Sequence, residues 1–368
     1  MKFSINKTEL QNALAVVMKG VTTRSTLPVL SGVLIMSDKD SLSLRSSDLQ
    51  LSIQVKVSAL IEEEGSTVVP GKLFSDIIKS LPDAAVNFTS EEGQAQLTCD
   101  TSAFSLRTLN PDDFPGFPTV SPTQTIKLPF GTFSDMVRRV SDVVSRDESR
   151  AILTGVLIET EGAKLRMVAT DSYRLALTET DIDSDVYDGE QDFQAVISGI
   201  FLKDVANLSV PEDSITIGVA ENQIIVEANN IVFINRRIEG QYPNYKQLLP
   251  DSYSTRAKFP VDALNSAIKR ANILSSSTAP VKFTLEPDVD LVQITVNSSE
   301  VGSVQESIDC PVEGEQSEIA FNTSYVQNCL STIKDDEVYF DIQGSLKPGI
   351  FKSIDGDSYL YLIMPVRL

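Results

Sequence analysis

The chain of 368 residues contains no histidine. That excludes Ser-His-Asp and Cys-His nucleophile systems and histidine-ligated zinc. Its three cysteines, Cys99, Cys310 and Cys329, lie far apart and form no CxxC pair. An odd, scattered set is neither a disulfide framework nor a metal site, and it suits a reducing cytoplasm. Walker A, GxGxxG and GxSxG sequences are all missing, so no nucleotide cradle or nucleophile elbow is encoded. No apolar run approaches the roughly 18 residues of a membrane span, and Met1-Lys2-Phe3-Ser4-Ile5-Asn6 turns polar too soon for a secretory signal. Basic residues are few: 31 Lys and Arg against 51 Asp and Glu, a net charge of −20. A protein that clings to nucleic acid over its whole surface needs the opposite balance, although a local basic surface stays open.

What is present is repetition. Leu30-Ser31-Gly32-Val33-Leu34-Ile35 falls on Leu153-Thr154-Gly155-Val156-Leu157-Ile158 at an offset of 153 − 30 = 123, about one third of 368. The same offset carries Phe3 to Ile126, Leu14 to Val137 and Asp48 to Asp171. An offset of 127 carries Phe74 to Phe201 and Ile78 to Val205, and one of 252 carries Phe74 to Val326. Three copies of one domain follow, at about 1–120, 125–250 and 256–368, separated by the breaker-rich Pro115-Gly116-Phe117-Pro118 through Pro122 and by Pro250-Asp251-Ser252. Each copy predicts two helices. Leu10, Leu14, Val17 and Met18 share one helical face, as do Phe74, Ile77, Ile78 and Leu81. Ser41-Leu42-Ser43-Leu44-Arg45 and Phe104-Ser105-Leu106-Arg107 alternate as strands do. Without regular strand–helix–strand alternation, the expected class is α+β with antiparallel sheets.

Acidic clusters occur at Glu62-Glu63-Glu64, Asp112-Asp113 and Asp335-Asp336-Glu337. They could hold magnesium or work as an acid/base pair, but their turn-like polar context favours solvated loops. A carboxylate-dependent enzyme on a repeated scaffold is the alternative they keep open, and a scaffold protein that never meets DNA is a third. The segment Thr170-Asp171-Ser172-Tyr173-Arg174-Leu175 is the most distinctive. Asp171 repeats Asp48 and is expected to close a turn. Tyr173, Arg174 and Leu175 have no like-for-like partners in the first copy, and Tyr and Arg are common interface anchors. The apolar end Tyr359 to Leu368 predicts a buried last strand that stops before Pro365, followed by a lip that could dock a peptide.

The Met-Lys-Phe start, Leu27-Pro28-Val29-Leu30, the Thr170–Leu175 segment and the terminal Met364-Pro365-Val366-Arg367-Leu368 together resemble the bacterial DNA polymerase III beta subunit family, the DNA sliding clamps. The resemblance covers the whole chain. It implies a head-to-tail homodimeric ring around duplex DNA, sheets outside and helices inside, with no catalysis, cofactor or metal. It also implies that the ring tethers the replicative polymerase and receives clamp-loader and repair proteins through short peptides. Packing arithmetic agrees on two chains. Six helices spaced about 10 Å apart leave a hole of about 9 Å, too narrow for a duplex roughly 20 Å wide, whereas twelve leave about 28 Å.

Residue by residue, the resemblance implies DNA contacts at Arg24, Lys72 and Arg150, and Arg138, Arg139 and Lys203 lie on predicted helices beside them. This chain has Ala151 and Ile152 where the family has aromatics, and Gly199 where it has a basic residue. The implied peptide groove has apolar walls at Leu175, Leu248, Leu362 and Met364, and a polar rim at Thr170, Ser172, Arg174 and Arg367. Leu153, Tyr173, Pro243, Pro365 and Val366 complete it. At the implied dimer contact, Phe104 and Leu106 meet Ile273 and Leu274 of the other chain.

Overall fold

In the computed structural model, residues 1–182, 187–188, 193–208, 214–275, 279–354 and 358–367 are described. Six α-helices are found among them, two per repeat: α1 (Lys7–Val17), α2 (Gly71–Ser80), α3 (Phe130–Val140), α4 (Gly199–Ala206), α5 (Val261–Ala271) and α6 (Thr323–Leu330). Their starts are encoded locally. The Asn6 side chain accepts the Thr8 and Glu9 amides ahead of α1, and Asn322 accepts the Ser324 amide ahead of α6, which satisfies donors that a helix start leaves unpaired. Pro70 and Pro260 stand at the starts of α2 and α5. The apolar stripes bury as their spacing requires: Leu10, Ala13, Leu14 and Val17 on α1, and Phe74, Ile77 and Ile78 on α2.

The chain packs as two compact units. One holds residues 1–131, 187–188 and 207–237 as far as they are described; the other holds 132–182, 193–206 and 238–367. The second repeat therefore contributes to both. In the first unit a five-stranded sheet runs from Leu60–Glu63 to the edge strand Ser102–Arg107, and a nine-stranded sheet runs from Tyr187–Asp188 to Gly65–Pro70. In the second, a nine-stranded sheet runs from Gln194–Ser198 to Val312–Gly314, and a four-stranded sheet ends at the edge strand Gly302–Asp309. The strand pairs are antiparallel throughout. Phe3 stacks on Phe88 in one core, and Phe340 on Phe351 in the other.

Both nine-stranded sheets join strands from different repeats. Leu51–Ser58 of the first copy pairs with Ile231–Arg236 of the second, and Arg174–Asp181 of the second pairs with Tyr359–Ile363 of the third. The registers correspond: Ser52 faces Ile234 as Leu175 faces Leu362. The repeated glycine of the Leu-x-Gly-Val-Leu-Ile motif also has a packing cause. A Cβ on Gly32 would lie 2.4 Å from Val68, and one on Gly155 2.4 Å from Val196, too close in both copies for any side chain.

Candidate peptide groove and basic surface

The groove expected from the sequence lies within the second unit. Pairing of Arg174–Asp181 with Tyr359–Ile363 sets Leu175 opposite Leu362 and Leu177 opposite Leu360. All four join Leu157, Val168, Val196, Tyr245 and Ile350 in one apolar cluster, against which Ile152, Ile238, Tyr242 and Leu249 are packed half-buried. The chain end is tied beside it. The Met364 amide donates to the Tyr173 carbonyl at 2.8 Å and the Val366 amide to the Ala320 carbonyl at 2.8 Å. Pro365, which has no N–H, sits between these two donors. Tyr173, Leu248, Met364 and Val366 are left as exposed apolar surface, from 37% to 61% accessible. Pro243 and Arg367 are exposed, Leu153 is buried, and Leu368 lies outside the described residues.

Asp171 closes the turn as its repetition of Asp48 implies. Its Oδ1 accepts the Tyr173 and Arg174 amides at 2.9 and 3.0 Å, and Thr170 Oγ1 accepts the Ser172 amide at 3.2 Å. In the first copy Asp48 Oδ1 accepts the Gln50 and Leu51 amides at 2.9 and 2.7 Å, and Ser47 Oγ accepts the Leu49 amide at 3.1 Å. Ser172 and Leu49 take the left-handed conformation at φ 79° and 76°. The Arg236 amide donates to the Gln50 carbonyl just as that of Met364 does to Tyr173. One backbone device is thus built twice. The side chains around it differ in part: Leu175 and Met364 stand where the first junction has Ser52 and Arg236, while Leu362 corresponds to the equally apolar Ile234.

Two of the expected rim residues do other work. Arg174 is buried, and its donors are spent inside the protein. Nε reaches Asp171 Oδ2 at 3.0 Å, Nη1 the Tyr361 hydroxyl at 3.0 Å, and Nη2 the Asp142 carbonyl at 2.8 Å, while the guanidinium lies 4.6 Å over the Tyr325 ring. Thr170 is also buried and donates to the Arg174 carbonyl at 2.8 Å. The sequence reading placed both on the rim because it shows which side chains are polar but not what satisfies them; Ser172 and Arg367 keep exposed side chains. Tyr325, Ile152, Tyr242 and Leu249 were missed, and only their apolar character could have drawn attention to them. Arg174→Ala would take the donor from Asp171 Oδ2, the Tyr361 hydroxyl and the Asp142 carbonyl at once, and we expect it to destabilise the protein by about 3–5 kcal/mol, as for other broken buried pairs. Arg174→Lys should recover little, since one ammonium cannot replace a three-way fork. Urea unfolding measures both, and a loss under about 1 kcal/mol for Arg174→Ala would contradict the role assigned here.

The basic residues divide in a similar way. Arg24 and Lys72 are exposed, with no ion-pair partner among the described residues. Arg138 is 57% exposed and 3.6 Å from Asp135. Lys203 is bound to Asp142 at 2.6 Å. Arg139 is half-buried, 5.3 Å over the Tyr359 ring and 3.5 Å from the Thr178 hydroxyl. Arg150 leans on the groove turn, with Nη1 3.0 Å from Ser172 Oγ and Nε 3.3 Å from Asp147. At the expected dimer contact Ile273 is 78% exposed and Phe104 36%, but Leu106 is buried in its own chain.

Comparison with known proteins gives a uniform result. Family models for the DNA polymerase III beta subunit match residues 1–118 (N-terminal domain), 127–244 (central domain) and 246–367 (C-terminal domain). The beta sliding clamp of Staphylococcus epidermidis is 32% identical over 378 residues, covering 100% of this chain and 99% of that protein. The Bacillus subtilis DNA polymerase sliding clamp superposes with a TM-score of 0.94 at 29% identity, covering 100% and 99% of the two chains. A Pseudomonas aeruginosa sliding clamp solved bound to griselimycin gives 0.93 at 28% identity over the full length of both chains. With three domain models in tandem and full-length relatives in sequence and structure, the chain belongs to the DNA polymerase III beta subunit family of sliding clamps.

Proposed function

We propose that two copies of this chain close head to tail into a ring of six domains, each chain contributing domains at about 1–120, 125–250 and 256–368, and that the ring encircles duplex DNA without catalytic activity of its own. The observation that carries this reading is the repeated sheet junction. Ile231–Arg236 and Tyr359–Ile363 are each the last sheet strand of their repeat, and each accepts a strand from the preceding one. The strand in that position in the first repeat is Ser102–Arg107, and it has a neighbour on one side only. Leu51–Ser58 and Arg174–Asp181 are the donors, and their counterpart in the third repeat, Gly302–Asp309, is likewise a sheet edge. Unpaired edges invite strand addition, and a head-to-tail contact repeated twice closes a two-fold ring. The ring tethers the replicative polymerase in the cytoplasm. The apolar groove receives short peptides from that polymerase, the clamp loader and repair proteins, in the manner of other peptide-docking grooves.

The deciding experiment is topological. The protein, once loaded, should stay on nicked circular DNA and leave when the circle is linearised. Retention on linear DNA with free ends would mean gripping rather than encircling.

An acidic chain suits a ring that holds DNA by topology, since tight phosphate binding would hinder sliding. DNA should be met by the most accessible cations: Arg24 and Lys72, unpaired among the described residues, and Arg138, whose contact with Asp135 is long and exposed. Arg24→Ala, Lys72→Ala and Arg138→Ala combined should flatten the dependence of log K on log salt by up to about 0.9 for each phosphate that is no longer neutralised. Arg139→Ala, whose cation is half-buried over Tyr359, and Lys203→Ala, whose close pair with Asp142 must first break, should change it less. Salt titrations by fluorescence anisotropy separate the two sets, and an unchanged slope in the triple variant would count against a DNA-facing role for these three residues.

A further inference from the structure

The apolar cluster continues past the groove. Successive residues of a strand alternate faces, so Leu175 and Leu177 share one, as do Leu362 and Leu360. Two residues, about 7 Å, beyond the Leu175–Leu362 pair, Leu177 and Leu360 form with Tyr245 and Leu249 the floor of an open pocket of about 540 Å³. Its walls are charged, unlike the groove. Lys164, Arg166, Lys246 and Lys352 face Glu161, Glu179 and Asp251, four cations to three carboxylates, or +1 on a chain whose total is −20.

Those cations are paired, yet several of them stay within reach of a ligand. Glu179 is only 9% exposed and is consumed by Lys164 and by Arg166 Nε at 2.8 Å. Glu161 is held by Arg166 and by Lys246 at 2.9 Å. The Lys164 and Lys246 side chains remain 46% and 53% exposed, and Lys352 has only a distant carboxylate, Asp341 at 3.8 Å. Tyr245 cannot add an anion. Its hydroxyl bonds Glu159, and burial first, then that carboxylate, push its ionisation upward.

We propose that this pocket receives an acidic segment flanking the apolar anchor of a partner peptide. The proposal rests on the peptide-groove reading, because its occupant reaches the pocket from the groove along one continuous apolar floor. Lysines with flexible stems can turn towards incoming carboxylates, Lys246 from the exposed Glu161 and Lys164 from the buried Glu179, which keeps Arg166, and each exchange is worth little alone. The segment therefore tunes which peptides bind best rather than creating binding.

Anisotropy titrations of the full-length protein test this, using a labelled decapeptide from the C-terminus of the replicative polymerase and versions with three glutamates added at either end. One of the extended peptides should bind about fivefold tighter than the plain one at low salt, and the gain should fade as the Debye length shortens at high salt. In Lys164→Ala with Lys246→Ala the gain should vanish while the plain peptide keeps its affinity. Lys282→Ala, a paired surface lysine outside the pocket, should leave the gain intact. No gain at either end, or a gain that survives in the double variant, overturns the proposal while leaving the groove reading in place. A plain peptide that does not bind at all overturns both. Thermal melts of each variant separate a lost site from a lost fold.

Discussion

Ile273→Ala with Leu274→Ala is expected to turn the protein into a 40.2 kDa monomer at micromolar concentration, one that is not retained on circular DNA. Ile273 follows α5 in a turn whose amide donates to the Arg270 carbonyl, and its side chain is 78% exposed. A large aliphatic group so placed gains nothing from its own chain. Covered by a partner, each such side chain contributes about 1.5–3 kcal/mol. In a head-to-tail ring of two chains every substitution appears at two interfaces, so the loss counts twice per ring. Phe104 on the edge strand Ser102–Arg107 is the natural counterpart, and Phe104→Ala should act in the same direction. Leu106→Ala provides the contrast. It is 6% exposed within its own chain, so its truncation should lower the melting temperature of the protomer through a core cavity, with dissociation only a consequence. Sedimentation velocity reads the mass directly. A dimer that persists in the Ile273 and Leu274 variant would place the interface elsewhere.

The parts legible in the sequence were those fixed by spacing. Helix faces follow from residues three and four apart, and the Leu-x-Gly-Val-Leu-Ile motif aligned two copies without any knowledge of Val68 and Val196, the side chains that demand its glycines. The turn at Asp171 was legible because Asp48 repeats it and because an aspartate accepts amides two and three residues on. Long-range partners were not legible. Arg174 looked like an exposed anchor, yet its hydrogen bonds go to Tyr361 and Asp142, 187 and 32 residues away. Arg150, expected at DNA, meets Ser172 across 22 residues. Arg139 is drawn towards Tyr359. A strand's alternation also leaves open which face is inside. Phe104 and Leu106 share a parity, and only packing leaves one exposed and buries the other.

The second large effect is expected from deleting residues 364–368, which should weaken binding of a polymerase C-terminal peptide by about 30-fold or more while sparing the ring. The last strand, Tyr359–Ile363, ends before the cut, so Leu175 still faces Leu362 and Arg174 still faces Ile363. Neither edge strand of the proposed dimer contact is touched. What disappears is one wall. Met364 and Val366, 40% and 37% exposed, are held by their amides against Tyr173 and Ala320, and they present apolar surface left uncovered among the described residues. Binding energy in such grooves concentrates in a few anchors worth about 2–4 kcal/mol each, so losing the wall they pack on should weaken the peptide by about 30-fold or more. Met364→Ala refines the test, because it keeps the amide bond to Tyr173 and removes only the side chain; it should lie between wild type and truncation. Isothermal titration with the peptide measures all three, and processive synthesis should fall in the same order. Unchanged affinity in the truncated protein would move the peptide site off the Leu175–Leu362 cluster, and with it the pocket proposed beyond Leu177, even though membership of the family would stand.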